Sequence, residues 1–160
     1  MDTGATFSAC NQYRYRLWRY WSAEPAVLFL MLNPSTADET VNDPTVERCQ
    51  RRAKAMGAGG LQVANIFALR STDPAALYTA DDPVGPDNDA AILAAANECA
   101  QVICAWGVHG EHQGRGDAVL AMLGGAGVTP HCLGTTKAGY PRHPLYVGYA
   151  VRPMKLQVAA

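Results

Sequence analysis

The run Val27-Leu28-Phe29-Leu30-Met31-Leu32 constrains this chain more than any other segment. Six consecutive apolar residues closed by turn residues suit a strand buried on both faces, and such strands lie inside parallel sheets. The run ends in Asn33-Pro34-Ser35-Thr36. A proline keeps the residue before it extended, so Asn33 closes the strand and the chain leaves sharply. Open parallel sheets place their ligands outside the carboxyl ends of the strands. The polar island therefore stands where a site belongs. Two more segments share that character: Asn65, after Leu61-Gln62-Val63-Ala64, with Arg70-Ser71-Thr72 behind it, and Arg142-His143-Pro144-Leu145 near the C-terminus.

The remaining elements alternate. Residues 13–21 read as a strand added before the central one. Asp43-Pro44 gives an N-cap with proline at the first helical position, and 45–56 continues as a helix ended by Gly57-Ala58-Gly59-Gly60. Residues 61–67 form the next strand. Asp73-Pro74 repeats the cap signal for a short helix to Tyr78. Residues 86–100 read as helix, 101–106 as strand, 107–116 as loop, 117–123 as helix and 128–133 as strand. Strand–helix alternation implies an α/β fold: a central, mostly parallel sheet flanked by helices on both faces. At 160 residues the chain fits a single domain over 1–160.

Composition removes some classes. No apolar run reaches the roughly 20 residues that span a bilayer, and no basic-then-apolar leader opens the chain, so no membrane or signal segment is expected. Five cysteines, odd in number and without a Cys-x-x-Cys pair, argue against a disulfide framework or a zinc ribbon and favour a reducing cytoplasm. Net charge is −1, but no acidic residue follows Asp117, while Lys137, Arg142, Arg152 and Lys155 do. Arg14, Arg16 and Arg19 interleave with Tyr13, Tyr15, Trp18, Tyr20 and Trp21. That mixture suits nucleic acid, since phosphates take cations and bases take flat faces. It equally suits a solvated edge strand guarded by charge.

Each polar group has a structural alternative. Asn33 closes a turn or holds a ligand. Asp43 reads as a helix cap, while Asp38 has no structural task and is free to orient a water. Asn65, an amide in a buried strand, satisfies loop backbone or reads a ligand edge. Arg70-Ser71-Thr72 caps the Asp73 helix or holds a phosphate. His109-Gly-Glu-His112 has metal-like spacing, but a glycine-rich loop is a poor zinc scaffold and a solvated loop is expected. Gly114-Arg115-Gly116 lacks the strand–GxGxxG–helix context of a dinucleotide fold. His143 sits in a loop stiffened by Pro141 and Pro144.

Nearly the whole chain resembles a family of short bacterial and phage proteins described as a domain of unknown function. Its motifs stand here as Asn33 to Asp38, Asp43 to Thr45, Asn65 to Thr72, Ala105 to Gly107 and Gly139 to Tyr146. Their order is more distantly similar to the uracil-DNA glycosylase superfamily. Asn33 matches its water-positioning residue, Asn65 its base-reading amide and His143 the residue that stabilises the departing base. Met31 departs from a glycine in the first motif, and Leu145-Tyr146 from a Ser-Pro in the last. These departures point away from uracil and towards an enlarged base. The resemblance to phage-defence proteins implies hypermodified bases such as glucosylated hydroxymethylcytosine.

The resemblance implies a three-layer glycosylase-like sandwich and hydrolysis of an N-glycosidic bond in DNA, with no cofactor, no metal and no obligate protein partner. The implied catalytic set is Asn33, Asp38 and His143. Pro34, Ser35, Thr36, Asn65, Phe67 and Trp106 bind substrate. Arg70, Ser71, Thr72, Lys137, Tyr140 and Arg142 face DNA. An enzyme of free modified nucleotides or nucleosides, or a non-catalytic binder of modified DNA, uses the same pocket.

Overall fold

The structure is a computed structural model describing residues 1–158. Its core is one seven-stranded sheet: β1 (Asp2–Phe7), β2 (Arg14–Tyr20), β3 (Ala26–Met31), β4 (Gly60–Asn65), β5 (Gln101–Cys104), β6 (Pro130–Cys132) and β7 (Met154–Lys155). The strand order is β1-β2-β4-β3-β5-β6-β7. The four inner strands β4, β3, β5 and β6 run parallel, and β1, β2 and β7 are antiparallel additions. The expected α/β fold, with helices on both faces, is what forms.

Strand β3 is buried at every position, and its alternate side chains feed two cores. Val27, Phe29 and Met31 pack with Val46, Cys49 and Ala53 of helix α1 (Pro44–Ala55). Leu28 and Leu30 face the opposite layer, which contains Leu77, Ile92, Val119 and Leu123. Those residues come from α2 (Ala75–Thr79), α3 (Asn88–Glu98) and α4 (Arg115–Gly125). Burying one such Leu or Phe contributes about 1.5–3 kcal/mol. A unit-residue slip of β3 would exchange the two faces, so its register is tightly fixed.

Two strands escaped the sequence pattern. Strand β1 has small residues instead of an apolar alternation, because it covers a large neighbour. Gly4 lies opposite Trp18, and a Cβ there would sit 2.2 Å from Trp18 Cζ2. With β1 in place, β2 is an inner strand rather than a solvated edge. Its Arg14 and Arg19 are 2% and 1% exposed, and Arg16 pairs with Glu98 and Gln62. Arg14 and Arg19 therefore serve the protein interior, and Arg16 is held in a partly exposed ion pair. Arg19 donates to the carbonyls of Asp38, Glu39 and Val41 and to Asn42 Oδ1, fixing the loop that leads into α1. The two-residue β7 pairs with β6 and has no pattern to read.

Other boundaries shift. Residues 108–114 form two short 3-10 turns broken by a kink at His112 and Gln113, and α4 begins at Arg115 rather than at 117. Arg115 is buried, donating to the Ile66 carbonyl and pairing with Asp89. The Asp73-Pro74 signal does open α2: Pro74 already has helical backbone, and the Asp73 carboxylate accepts from Ala75 N at 2.9 Å. No described helix is long and apolar enough to cross a membrane.

Candidate active site

The chain leaves β3 through α1 to reach β4 on one side. It leaves β5 through α4 to reach β6 on the other. The sheet thus reverses its winding between β3 and β5, and a crevice opens at their carboxyl ends. A cavity of about 820 Å³ occupies it. Its walls include Leu32 and Asn33 after β3, Asp43 at the start of α1, Ser71 and Thr72 after β4, Trp106 after β5, and His143 from the late loop.

Asn33 ties two loops together. Its Nδ2 donates to the carbonyls of Pro34 (3.2 Å), Leu69 (3.4 Å) and Ser71 (3.0 Å). All the donating capacity of the amide points into the protein. Its Oδ1 accepts nothing from the described residues and remains for a ligand on the cavity wall. The main-chain N–H groups of Ser35 and Thr36 likewise have no acceptor among the described residues. Both residues line the cavity and offer backbone donors there.

The two aspartates exchange expected roles. Asp38 faces its own turn: its carboxylate accepts from Thr40 N (2.9 Å) and Val41 N (2.8 Å). These bonds hold it below the ordinary carboxylate range. It is not among the cavity-lining residues, so the cavity water assigned to it is out of its place. Asp43 caps α1 through Val46 N (2.9 Å), accepts from Ala37 N (3.3 Å), and also lines the cavity. It is more than the cap its sequence context implies.

His143 caps the 3-10 turn Pro144–Tyr146 with its ring, where Nδ1 accepts the main-chain N–H of Leu145 at 3.3 Å. Desolvation pushes its pKa down, and the charge of Asp43 partly opposes that. An accepting Nδ1 on a neutral imidazole puts the ring proton on Nε2. The residue is therefore a neutral N–H donor on the cavity wall.

Two residues that hold this loop were not legible as site residues. Arg48 donates to the carbonyls of Pro144 (3.2 Å) and Val147 (2.7 Å). Arg52, 3% exposed, donates to the carbonyls of Val147, Gly148 and Val151. Helix α1 thus presents Asp43 at its start and grips the His143 loop along its side. The signal available was an arginine three residues after Cys49, on the apolar face of an amphipathic helix.

Trp106 is 2% exposed and closes the cavity beside β5. It packs so tightly on the following turn that a Cβ on Gly110 would lie 2.1 Å from its Cδ1. Four expected contacts lie elsewhere. Asn65 is sealed in, with Oδ1 near Arg14 Nη2 (3.4 Å) and its carbonyl accepting from Asn88. Phe67 is fully buried against the His112 ring. Pro34 is buried and its carbonyl accepts from Ser71 N. Tyr140 donates to Glu111, which raises its phenol pKa. Each was consumed by packing or loop pairing, which a linear motif does not reveal. Arg142 lines the cavity and donates to the Tyr146 carbonyl, and Lys137 is exposed outside it. Arg70 lies in an adjoining hollow. The His109–His112 segment is solvated at His109 and Glu111, where His109 Nδ1 pairs with Tyr78 OH at the surface, while the half-buried His112 ring lies 4.2 Å from that of Tyr78. Among the described residues no three His, Cys, Asp or Glu side chains converge as metal ligands.

A family model described as protein of unknown function (DUF1643) matches residues 14–145. The chain belongs to this family. The DUF1643 match contains every strand of the parallel core and all the cavity residues except Tyr146. No curated protein and no solved structure matches the chain.

Proposed function

We propose that this protein is a DNA glycosylase that hydrolyses the N-glycosidic bond of an enlarged, hypermodified base in phage DNA, leaving an abasic site. The observation that carries this reading is the placement of His143 and Asn33 on one cavity. His143 is a neutral Nε2–H donor with its Nδ1 tied to the main chain. Asn33 is an amide whose Nδ2 is tied down and whose Oδ1 is free. One supplies a donor to a departing base and the other an acceptor for a water.

In this reaction the C1′–N bond breaks as positive charge grows on the sugar and negative charge on the base. A donor aimed at the developing charge contributes about 3–4 kcal/mol, which is the role of His143 Nε2–H. Asn33 Oδ1 orients the water that attacks C1′. Asp43, at the same wall, stabilises the sugar cation and takes the water's second proton after bond cleavage. The water's oxygen ends on C1′ as a hydroxyl, the base departs as an anion held by the His143 Nε2–H, and the proton taken by Asp43 passes through solvent to the base, which restores the carboxylate. Ser35 and Thr36 N–H groups hold the sugar–phosphate edge. The cavity volume is at the upper end of the usual range for ligand sites, which suits a base carrying an added sugar. Flipping the nucleotide into it costs a few kcal/mol.

A second reading, an enzyme of free modified nucleotides, is favoured by one observation. Arg14, Arg19, Arg52 and Arg115 are all internal and the net charge is −1, so the cationic surface available to a duplex is modest.

The test is incubation with genomic DNAs of different base modification, followed by mass analysis of released base and alkali cleavage of the strand. Base release with matching alkali-labile sites from one modified DNA supports the glycosylase. Release only from mononucleotides supports the second reading, and binding without release leaves a modified-DNA binder.

A further inference from the structure

A second hollow, of about 330 Å³, opens beside the main cavity. The two share Ser35, Ser71 and Thr72, which form a low saddle between them. Beyond the saddle stand Arg70, Gln12 and Asn11. Arg70 is held in place twice: its guanidinium lies 4.7 Å from the centre of the Phe7 ring, and Nη1 donates to the Asn11 carbonyl at 3.1 Å. Asn11 itself adopts a left-handed backbone (φ 62°). Arg70 Nε and Nη2 donate to no described residue, and neither do the hydroxyls of Ser35 and Thr72 nor the Thr72 main-chain N–H. Ser71 is different, since its hydroxyl is spent on Asp73.

An anchored guanidinium with free donors, facing hydroxyls and an open N–H, is a set that recognises a tetrahedral anion. No acidic side chain lines this hollow. We propose that the second hollow seats the phosphodiester next to the nucleotide bound in the main cavity, with the chain crossing the Ser35–Ser71 saddle. This rests on the glycosylase reading for what fills the main cavity, and it makes the substrate a polynucleotide rather than a free nucleotide. Strand β1 then has a task beyond covering β2: its Phe7 supports the arginine.

The experiment is a double-mutant cycle between protein and ligand. Binding of short single-stranded oligonucleotides carrying one hypermodified base is measured by fluorescence anisotropy. Uncharged methylphosphonate replaces each flanking phosphate in turn, with wild type and Arg70→Gln. A charged hydrogen-bonded contact of this kind is worth about tenfold or more in affinity. The expected result is one flanking position at which methylphosphonate weakens wild-type binding by about tenfold but leaves Arg70→Gln nearly unaffected. Losses that add at every position, or no effect of Arg70→Gln at all, overturn the proposal. So does a wild type that binds no oligonucleotide. Base release is followed on the same oligonucleotides. A coupled phosphate without release keeps the groove and removes the glycosylase, whereas release without a coupled phosphate does the reverse.

Discussion

The main-chain N–H of Leu145 donates to Nδ1 of His143 at 3.3 Å, and that contact decides which end of the imidazole is available for chemistry. A proton on Nδ1 would face another N–H, so protonation and the cap oppose each other. Burial works in the same direction.

The first expectation concerns pH. The folded pKa of His143 lies below its unfolded value of about 6.5, so the unfolded chain binds the proton more readily. Stability from this residue is therefore complete above pH 6.5 and is lost as pH falls through the window beneath it. Base release should show an acid limb in that window. His143→Asn keeps an N-cap acceptor, so it should fold, lose the limb and slow release by about 100-fold. A retained limb in the folded variant assigns the titration to another group.

The second concerns Asn33. Asn33→Ala should lower base release by at least about 100-fold, the effect of losing a positioned catalytic group. Asn33→Asp is more damaging to the fold, because a carboxylate would face the Pro34, Leu69 and Ser71 carbonyls. A stability loss of about 1–3 kcal/mol is expected in urea titration. An Asn33→Asp protein as stable as wild type would show that the amide is not the tie between these loops.

The third separates the aspartates. Asp38→Asn should leave release within about threefold, since its carboxylate serves the Thr40–Val41 turn. Asp43→Asn retains a helix cap but removes the charge at the cavity, and should lower single-turnover release by about 100-fold or more. The reverse ranking would return the water to Asp38.

These aspartates also mark how far the sequence could be read. The apolar run 27–32, the Asp43-Pro44 cap and the alternation of strands and helices were legible because period and capping are local. The polar ends of β3 and the late loop pointed correctly to the carboxyl edge of the sheet. Which of Asp38 and Asp43 meets the cavity was not legible, since Arg19, 19 residues before Asp38 and 22 before Val41, shapes the intervening loop. Asn65 read as a site residue because its motif is polar. Its use as an internal bracket depends on Arg14 and Asn88, which only the fold brings to it. Strand β1 was hidden because Gly4 makes room for Trp18 instead of adding apolar surface of its own.

The fourth concerns the grip of α1 on the late loop. Arg52→Met leaves the carbonyls of Val147, Gly148 and Val151 without their shared donor. Stability should fall by about 2–4 kcal/mol, seen as a lower urea midpoint with an unchanged slope. Arg48→Met, on a partly exposed side chain, should cost less stability. It should reduce the rate of release more than substrate affinity, because the His143 loop is looser while the cavity remains. Equal losses in rate and affinity would make Arg48 a general scaffold residue.

The central claim is that a water held in this cavity attacks C1′ and the base departs. The most direct measurement is a single turnover in ¹⁸O-water on DNA containing glucosylated hydroxymethylcytosine, with mass analysis of both products. The account expects one ¹⁸O atom in the abasic sugar, none in the released base and none in phosphate. Label in a phosphate, label in the base, or intact glycosidic bonds after full binding would contradict it.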